Sequence, residues 1–582
     1  MKYISKKIAL ILAGMSLVLT SCFSDLDRFP VNDVTGEEVY RDVMGFKMAL
    51  AKVYGAMILT GNAGPAGMPD IAGIDEGFSG FTRTFFNLQV TPTDEAFCNW
   101  GDAGVADLNH LDFTALNPFS VALYNRALLN ILYANHFMRQ SDDAVLAERG
   151  FSAADRAEIA IMRAEARFIR AFLYWVLMDI FGNPPFIDET MLLGVLPTQK
   201  DRDINIGRPM LFRWIESELL DIVNNNLLRP VGARVRGRVC EAAAWALLAR
   251  LYLNANVYNN PVGSPESNIN TSFYTQAIYF ANRVISSGAF QLSENYEHVF
   301  LNDNRESPEI IWGLIFDGAF ARTFSGTTFL INASSQGAQQ TTHRARLMHF
   351  GIFENANWAG YRVRYEFLQR FDRANDRRFL FVGPSDRIGN ATSDFEASGM
   401  ATFKFRNIPS RMVLQGCDRN LVGGRFVNCT YCGPNEGCNL FQRHMDNNTP
   451  FGNDHERQFA DNSFPLFRLA EMHLIYAEAA VRSGSNMATA EALINQLQAR
   501  AGLPNAPPLT LDWILDERAR ELFWEGHRRT DLVRFNRFTS GPSWEWRGGE
   551  QNGIPVSSHF NVFPLSGRDI MANRELQQNP GY

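Results

Sequence analysis

The stretch Phe467-Arg468-Leu469-Ala470-Glu471-Met472-His473-Leu474-Ile475-Tyr476-Ala477-Glu478-Ala479 decides the fold class of this chain. Its apolar residues return every three to four positions, which is the period of one helix face. The run stops at Gly484, and a second periodic run begins at Met487 and ends at Gly502. Together they predict a helical hairpin over 467–502, close in length to a tetratricopeptide unit although the strict consensus is absent. Working outward, the same pattern recurs. Asp155 to Phe181 carries Ile161, Ala164, Phe168, Phe172, Trp175 and Ile180 at helical spacing, with Arg163, Arg167 and Arg170 on another face. It halts at Gly182-Asn183-Pro184-Pro185, the expected Gly cap followed by proline. Arg238 to Ala255 sets Ala242, Ala243, Ala244, Ala246 and Ala249 among Trp245 and four leucines. Small residues there let two helices approach closely. Ser272 to Gly288 is a further helix, and stretches near 36–60, 114–145 and 209–228 complete the pairs. The expected fold is mainly α: tetratricopeptide-like helical hairpins stacked into a curved scaffold.

Two regions break the pattern, 61–113 and 303–464. Both are rich in Gly, Asn and aromatics. Long loops in a compact protein are mostly functional, so these regions are expected to build a ligand face on the scaffold.

Composition narrows the classes further. The 582 residues are 46% hydrophobic, which excludes a mainly disordered chain. Aromatics reach 12%, with 45 Phe, enough for a large core or a surface that binds rings and flat faces. Against 55 Lys and Arg stand 62 Asp and Glu, a net charge of −7, which argues against general nucleic-acid affinity.

Residues 1–21 read as a removable signal. Lys2, Lys6 and Lys7 precede the apolar run Ile8 to Thr20, too short to span a bilayer comfortably. The run ends in Leu19-Thr20-Ser21-Cys22, which matches a bacterial lipobox with Cys22 as the lipid-bearing residue; an ordinary secretory signal with a chance cysteine is the alternative. Acyl chains on Cys22 would anchor the protein to a membrane. Residues 22–35 then form an anchored leader, and 36–582 form one domain. Loss of the signal removes three Lys and no acids, moving the net charge from −7 to −10.

Six further cysteines remain. Cys98 and Cys240 are isolated, whereas Cys417, Cys429, Cys432 and Cys438 cluster in a Gly-rich loop, 415–440. In an exported protein disulfides are the favoured reading, in any of three pairings. A tetrahedral zinc site is the other, and free thiols a third.

No GxGxxG, P-loop, HExxH or GxSxG motif is present. Glu517, Glu521, Glu525 and His527 lie in an ionic string. They could supply acid–base groups, but glutamates and arginines spaced three and four apart on a helix ending at Gly526 favour mutual pairing. Asp94, Glu95, Asp102, Asp107, His110 and Asp112 form a second acidic cluster. It could serve glycoside hydrolysis, a structural Ca²⁺, or hydrogen bonding. Trp100 in Asn99-Trp100-Gly101-Asp102 and Trp358 in Asn357-Trp358-Ala359-Gly360-Tyr361 pair flat rings with small and polar neighbours. That combination suits a sugar, ring face on Trp and hydroxyls on Asn, Asp and Arg. The alternative is that each Trp anchors its loop to the core.

Several blocks in order resemble the SusD/RagB family of outer-membrane nutrient-binding lipoproteins. They are Cys22 with Leu26-Asp27-Arg28-Phe29-Pro30, Thr93-Asp94-Glu95 leading to Trp100, and Arg163 to Tyr174 running on to Phe181-Gly182-Asn183-Pro184-Pro185. Phe467 to Ala479, Arg500-Ala501-Gly502-Leu503-Pro504, Glu525-Gly526-His527-Arg528 and the ending Gln578-Asn579-Pro580-Gly581-Tyr582 continue the match. The resemblance implies a cell-surface lipoprotein that binds glycans, or in some members peptides, and acts as a lid on a SusC-like TonB-dependent transporter without catalysis or cofactor. By position it also implies a ligand face from Asp75, Arg83, Asn99, Trp100, Asp102, Trp358 and Tyr361. The loop with Cys417 to Cys438 departs from the pattern. An exported helical glycoside hydrolase using Asp94, Glu95 or Asp102, and a helical adaptor that binds only protein, are the competing readings.

Overall fold

The computed structural model describes residues 36–65, 67–191, 194–335, 358, 360–372, 377, 380–382, 401–402, 404–408, 421–422, 425–426 and 458–582. The expectations for the 1–21 signal, the 22–35 leader, Cys22 and the four clustered cysteines lie outside these residues. Local sequence sets the principal helices: α1 (Val43–Gly55), α2 (Phe81–Val90), α3 (Pro118–Gln140), α4 (Ala153–Phe181), α5 (Ile204–Asn224), α6 (Glu241–Leu253), α7 (Ser272–Ser286), α8 (Gly326–Ser334), α9 (Leu469–Ser483), α10 (Met487–Arg500), α11 (Leu511–Leu522) and α12 (Arg528–Arg534). Asn117 caps α3 just before its N1 proline, and Ser152 caps α4 by accepting from Asp155 N. Such caps satisfy donors that have no partner within the helix.

The helices form hairpins that pack in succession: α3 on α4, α4 on α5, α5 on α6, α6 on α7, α7 on α9, and α9 on both α10 and α11. Among the described residues no helix is long and apolar enough to cross a membrane.

Three expectations need correction. The run from Phe467 does not begin as helix. Phe464–Arg468 is a strand (β4), paired antiparallel with Ile310–Leu314 (β2) in the register Ile310↔Arg468 and Leu314↔Phe464. Pro465 cannot sit in a helix interior, and the helix starts only at Leu469, whose N–H donates to Glu309 O at 3.0 Å. The region 61–113 contains the regular helix α2. Every residue of α2 is buried, and the helix is only ten residues long, shorter than the window over which a helical period is read. Finally, α11 ends at Leu522 rather than Gly526. Trp524 (φ +66°) and Gly526 (φ +78°) turn the chain back, and a Cβ on Gly526 would lie 2.5 Å from the Phe85 ring.

The glutamates of α11 and the turn after it also pair differently from the expectation. Arg520 does bond Glu517 three residues away, but the principal partners are remote. Arg468 bonds Glu309 (2.8 Å), Glu521 (2.7 Å) and Glu525 (2.7 Å). Arg377 joins Glu517 and Glu521, and Lys404 joins Glu525. All these groups are buried, so the cluster survives only because each charge is matched.

Candidate functional site

A two-stranded pairing builds the site. Ala96–Cys98 (β1) and Tyr361–Val363 (β3) run antiparallel with Cys98 opposite Tyr361, and Asn99 N–H extends the ladder to Gly360 O at 2.8 Å. This brings the loop Asn99–Asp102 beside Trp358 although 258 positions separate the two tryptophans. Asn109 holds the β1 end by accepting from Cys98 N (3.0 Å) and donating to Cys98 O (2.8 Å).

Trp100 donates its indole N–H to Trp358 O at 3.1 Å. The two rings lie 6.5 Å apart at 58°. Gly360 makes this possible, since a Cβ there would fall 2.0 Å from Trp100 Cε2. Trp358 in turn donates its backbone N–H to Asn332 O at the end of α8 and has Phe324 at 6.3 Å. Both tryptophans are part-exposed, and Asn99, Asp102 and Asp75 are exposed. Asp75 caps the short turn Glu76–Phe78 by accepting from Gly77 N at 2.9 Å.

Arg83 lies beneath this surface and is 4% exposed. It projects from α2, donates to Gly77 O at 2.8 Å, and its guanidinium sits 3.7 Å from the Phe78 ring, 4.4 Å from Phe329 and 5.5 Å from Trp100. Burial brings its pKa down to about 10, opposed in part by neighbours that include Asp102 and Asp75, so it stays a cation at neutral pH. Its Nε has no hydrogen-bond partner.

Tyr361 takes a different position from the rest of the expected set. It is 2% exposed and donates to Asn87 Oδ1 at 2.6 Å, with Trp100 edge-on to its ring at 5.6 Å. It is a floor under Trp100 and presents no face outward. The structure thus gathers Asp75, Asn99, Trp100, Asp102 and Trp358 at one surface, with Arg83 and Tyr361 supporting it. Sequence reasoning missed Phe78, Phe324 and Phe329. Phe78 follows Asp75-Glu76-Gly77 and could have been found by its neighbours; the other two carry no local signal.

Two carboxylates of the acidic cluster, Asp94 and Glu95, are locked away from solvent. Asp94 is buried and bonded by Arg528 and Arg370, each at 2.7 Å. Although burial opposes it, these arginines hold the Asp94 carboxyl well below the usual range. Glu95 is buried and accepts from Trp524 N at 2.6 Å; burial pushes its pKa up to about 8. Asp102 and Asp112 are exposed and Asp107 is half-buried. Among the described residues no three His, Cys, Asp or Glu side chains converge where a metal ion could sit. Cys98 and Cys240 are buried and free.

Comparison with known proteins places this geometry in context. A model described as the SusD family matches residues 433–582. The starch-binding protein SusD of Bacteroides thetaiotaomicron is 32% identical over 599 aligned positions, spanning 100% of this chain and 99% of that protein. Among solved structures, surface glycan-binding protein A of Bacteroides thetaiotaomicron in complex with laminarihexaose superposes with a TM-score of 0.63 at 18% identity, covering 92% of this chain and 99% of the other. A SusD superfamily protein from Parabacteroides distasonis also gives 0.63, at 17% identity, covering 94% and 100%.

Proposed function

This chain belongs to the SusD family, and from that premise we propose that it is a cell-surface lipoprotein that binds an oligosaccharide and passes it to a SusC-like TonB-dependent transporter without chemical change. The observation that carries the reading is the paired indole platform. Trp100 and Trp358 stand side by side and part-exposed, and Asn99, Asp102 and Asp75 lie at the same surface with acceptors and donors for hydroxyls. An apolar sugar face stacks on such rings while its edges are hydrogen-bonded. The relative that spans this whole chain is named for starch binding, and one structural neighbour holds laminarihexaose; both support a glycan ligand. The burial of Asp94 and Glu95 supports binding over hydrolysis. The lipobox at Cys22 supports anchoring at the outer membrane.

Calorimetry of the mature protein against a polysaccharide panel tests this. The expected result is binding in the μM to mM range, about −8 to −4 kcal/mol, without release of reducing sugar. Trp100→Ala and Trp358→Ala should each weaken it. Intact binding in both variants would remove the site, and turnover that vanishes on mutating Asp102 would restore the hydrolase reading. Cys22→Ala should leave the membrane fraction; retention there would count against the anchor.

A further inference from the structure

Two adjoining cavities share no residue with the tryptophan platform. The first, about 350 Å³, is walled by Leu50, Ala51 and Ile58 from α1 and the turn after it, and by Leu314 and Ile315 from β2 and the residue beyond. Its size is that of a small-molecule pocket. Tyr54 also lines it, but the hydroxyl is already engaged: it donates to Glu165 at 2.6 Å and accepts from Val239 N at 2.9 Å. The second cavity, about 130 Å³, is lined by Arg234, Arg236 and Arg305. The two meet at Gly237 and Ile315, which line both. Gly237 has φ +75°, and a Cβ there would lie 2.3 Å from Ile315 Cδ1, so only glycine lets the chain cross that saddle so closely.

The charge at the second cavity runs against that of the molecule. Arg229, Arg234, Arg236 and Arg238 fall within ten residues of a chain whose net charge is −7. Arg229 and Arg238 are committed to buried Glu165. Among the described residues the one carboxylate that Arg236 meets is Glu306, both more than half exposed, a contact that water screens; its guanidinium also donates to Arg305 O. Arg234 lies over the Phe290 ring, and among the described residues no carboxylate pairs with it.

We propose that this groove binds a free single-chain anionic amphiphile of the fatty-acid class. Its tail lies against Leu50, Ile58, Leu314 and Ile315, and its carboxylate sits by Arg234 and Arg236. One half of the groove is walled chiefly by apolar side chains, its Lys47 and Arg238 being paired with Glu158 and Glu165. The other offers Arg234, which no described carboxylate pairs, and Arg236, whose carboxylate contact with Glu306 is screened. Together they are the complement of that ligand.

The test is titration calorimetry of the full chain carrying Cys22→Ala, with dodecanoate below its micelle concentration. One site per chain is expected. An uncharged dodecyl polyoxyethylene should bind about tenfold more weakly, and Arg234→Glu with Arg236→Glu should cost about tenfold in dodecanoate affinity. Ala51→Trp, whose indole occupies the apolar half, should remove binding. Circular dichroism checks that each variant is folded, and the exposed arginine pair decides alone if Ala51→Trp is not. No saturable binding, equal affinity for the two head groups, or indifference to the arginine changes would overturn the proposal.

Discussion

At the scale of single residues, Gly360 governs the platform. Its missing side chain is the space that the Trp100 indole occupies, with Cε2 only 2.0 Å from where a Cβ would stand. Gly360→Ala therefore displaces the indole while leaving the residues beneath it in place. Glycan affinity should fall about tenfold, or roughly 1.4 kcal/mol, with circular dichroism unchanged. Calorimetry on the ligand found in the panel checks this, and undiminished affinity would mean that the indole position does not matter. Trp100 and Trp358 were legible in the sequence because bulky rings stood among Gly, Asn and Asp. The burial of Arg83 and Tyr361 was not, because a side chain's exposure depends on what packs over it. For Arg83 the covering residues are Phe78 and Phe329, one of them some 250 positions away.

At the scale of elements, the junction from β4 to α9 ties the helical scaffold to its loops. Arg468 ends the strand and spreads its guanidinium over Glu309, Glu521 and Glu525, while Arg500 from α10 reaches two of the same carboxylates. Arg468→Met leaves three buried carboxylates short of their main cation. Breaking one partner of a buried ion pair costs about 3–5 kcal/mol, so chemical denaturation should show a loss of that order. A loss below about 1 kcal/mol would mean that the cluster behaves like surface pairs. The helical period of 469–483 was readable because α9 runs unbroken for 15 residues to its Gly484 cap, long enough for the period to repeat. The strand before it was not, because its partner lies at 310–314 and pairing is a long-range event. Helix α2 escaped for another reason: at ten residues it is too short for a helical period to stand out from the loop sequence around it.

At the scale of the whole molecule, remote segments clasp the site from behind. Asp94 meets Arg528 across 434 positions, and Glu95 meets Trp524 N across 429. Asp179 of α4 binds Arg529 and Thr530 near the other end of the chain. The Glu95 clasp carries a pH signature. Its pKa is raised from the usual 4.5 to about 8, chiefly by burial, so the folded state holds a proton that the unfolded chain releases. Stability from this group is full below pH 4.5 and is lost as pH rises through about 8. Glu95→Gln keeps the acceptor for Trp524 N and cannot ionise. Denaturant titrations over a pH series should show the variant gaining on the parent between about pH 5 and pH 8, by a few kcal/mol at the upper end. A constant difference across that range would place Glu95 outside the linkage. By itself the sequence determined the helical architecture, the ends of α4 and the family, because helix faces, caps and ordered motif blocks are local properties of the chain. Only the tertiary structure decided which carboxylates are locked away, which aromatics face outward and which arginines lack partners. Burial and charge pairing are set by residues hundreds of positions apart, and no short stretch of sequence contains both members of such a contact.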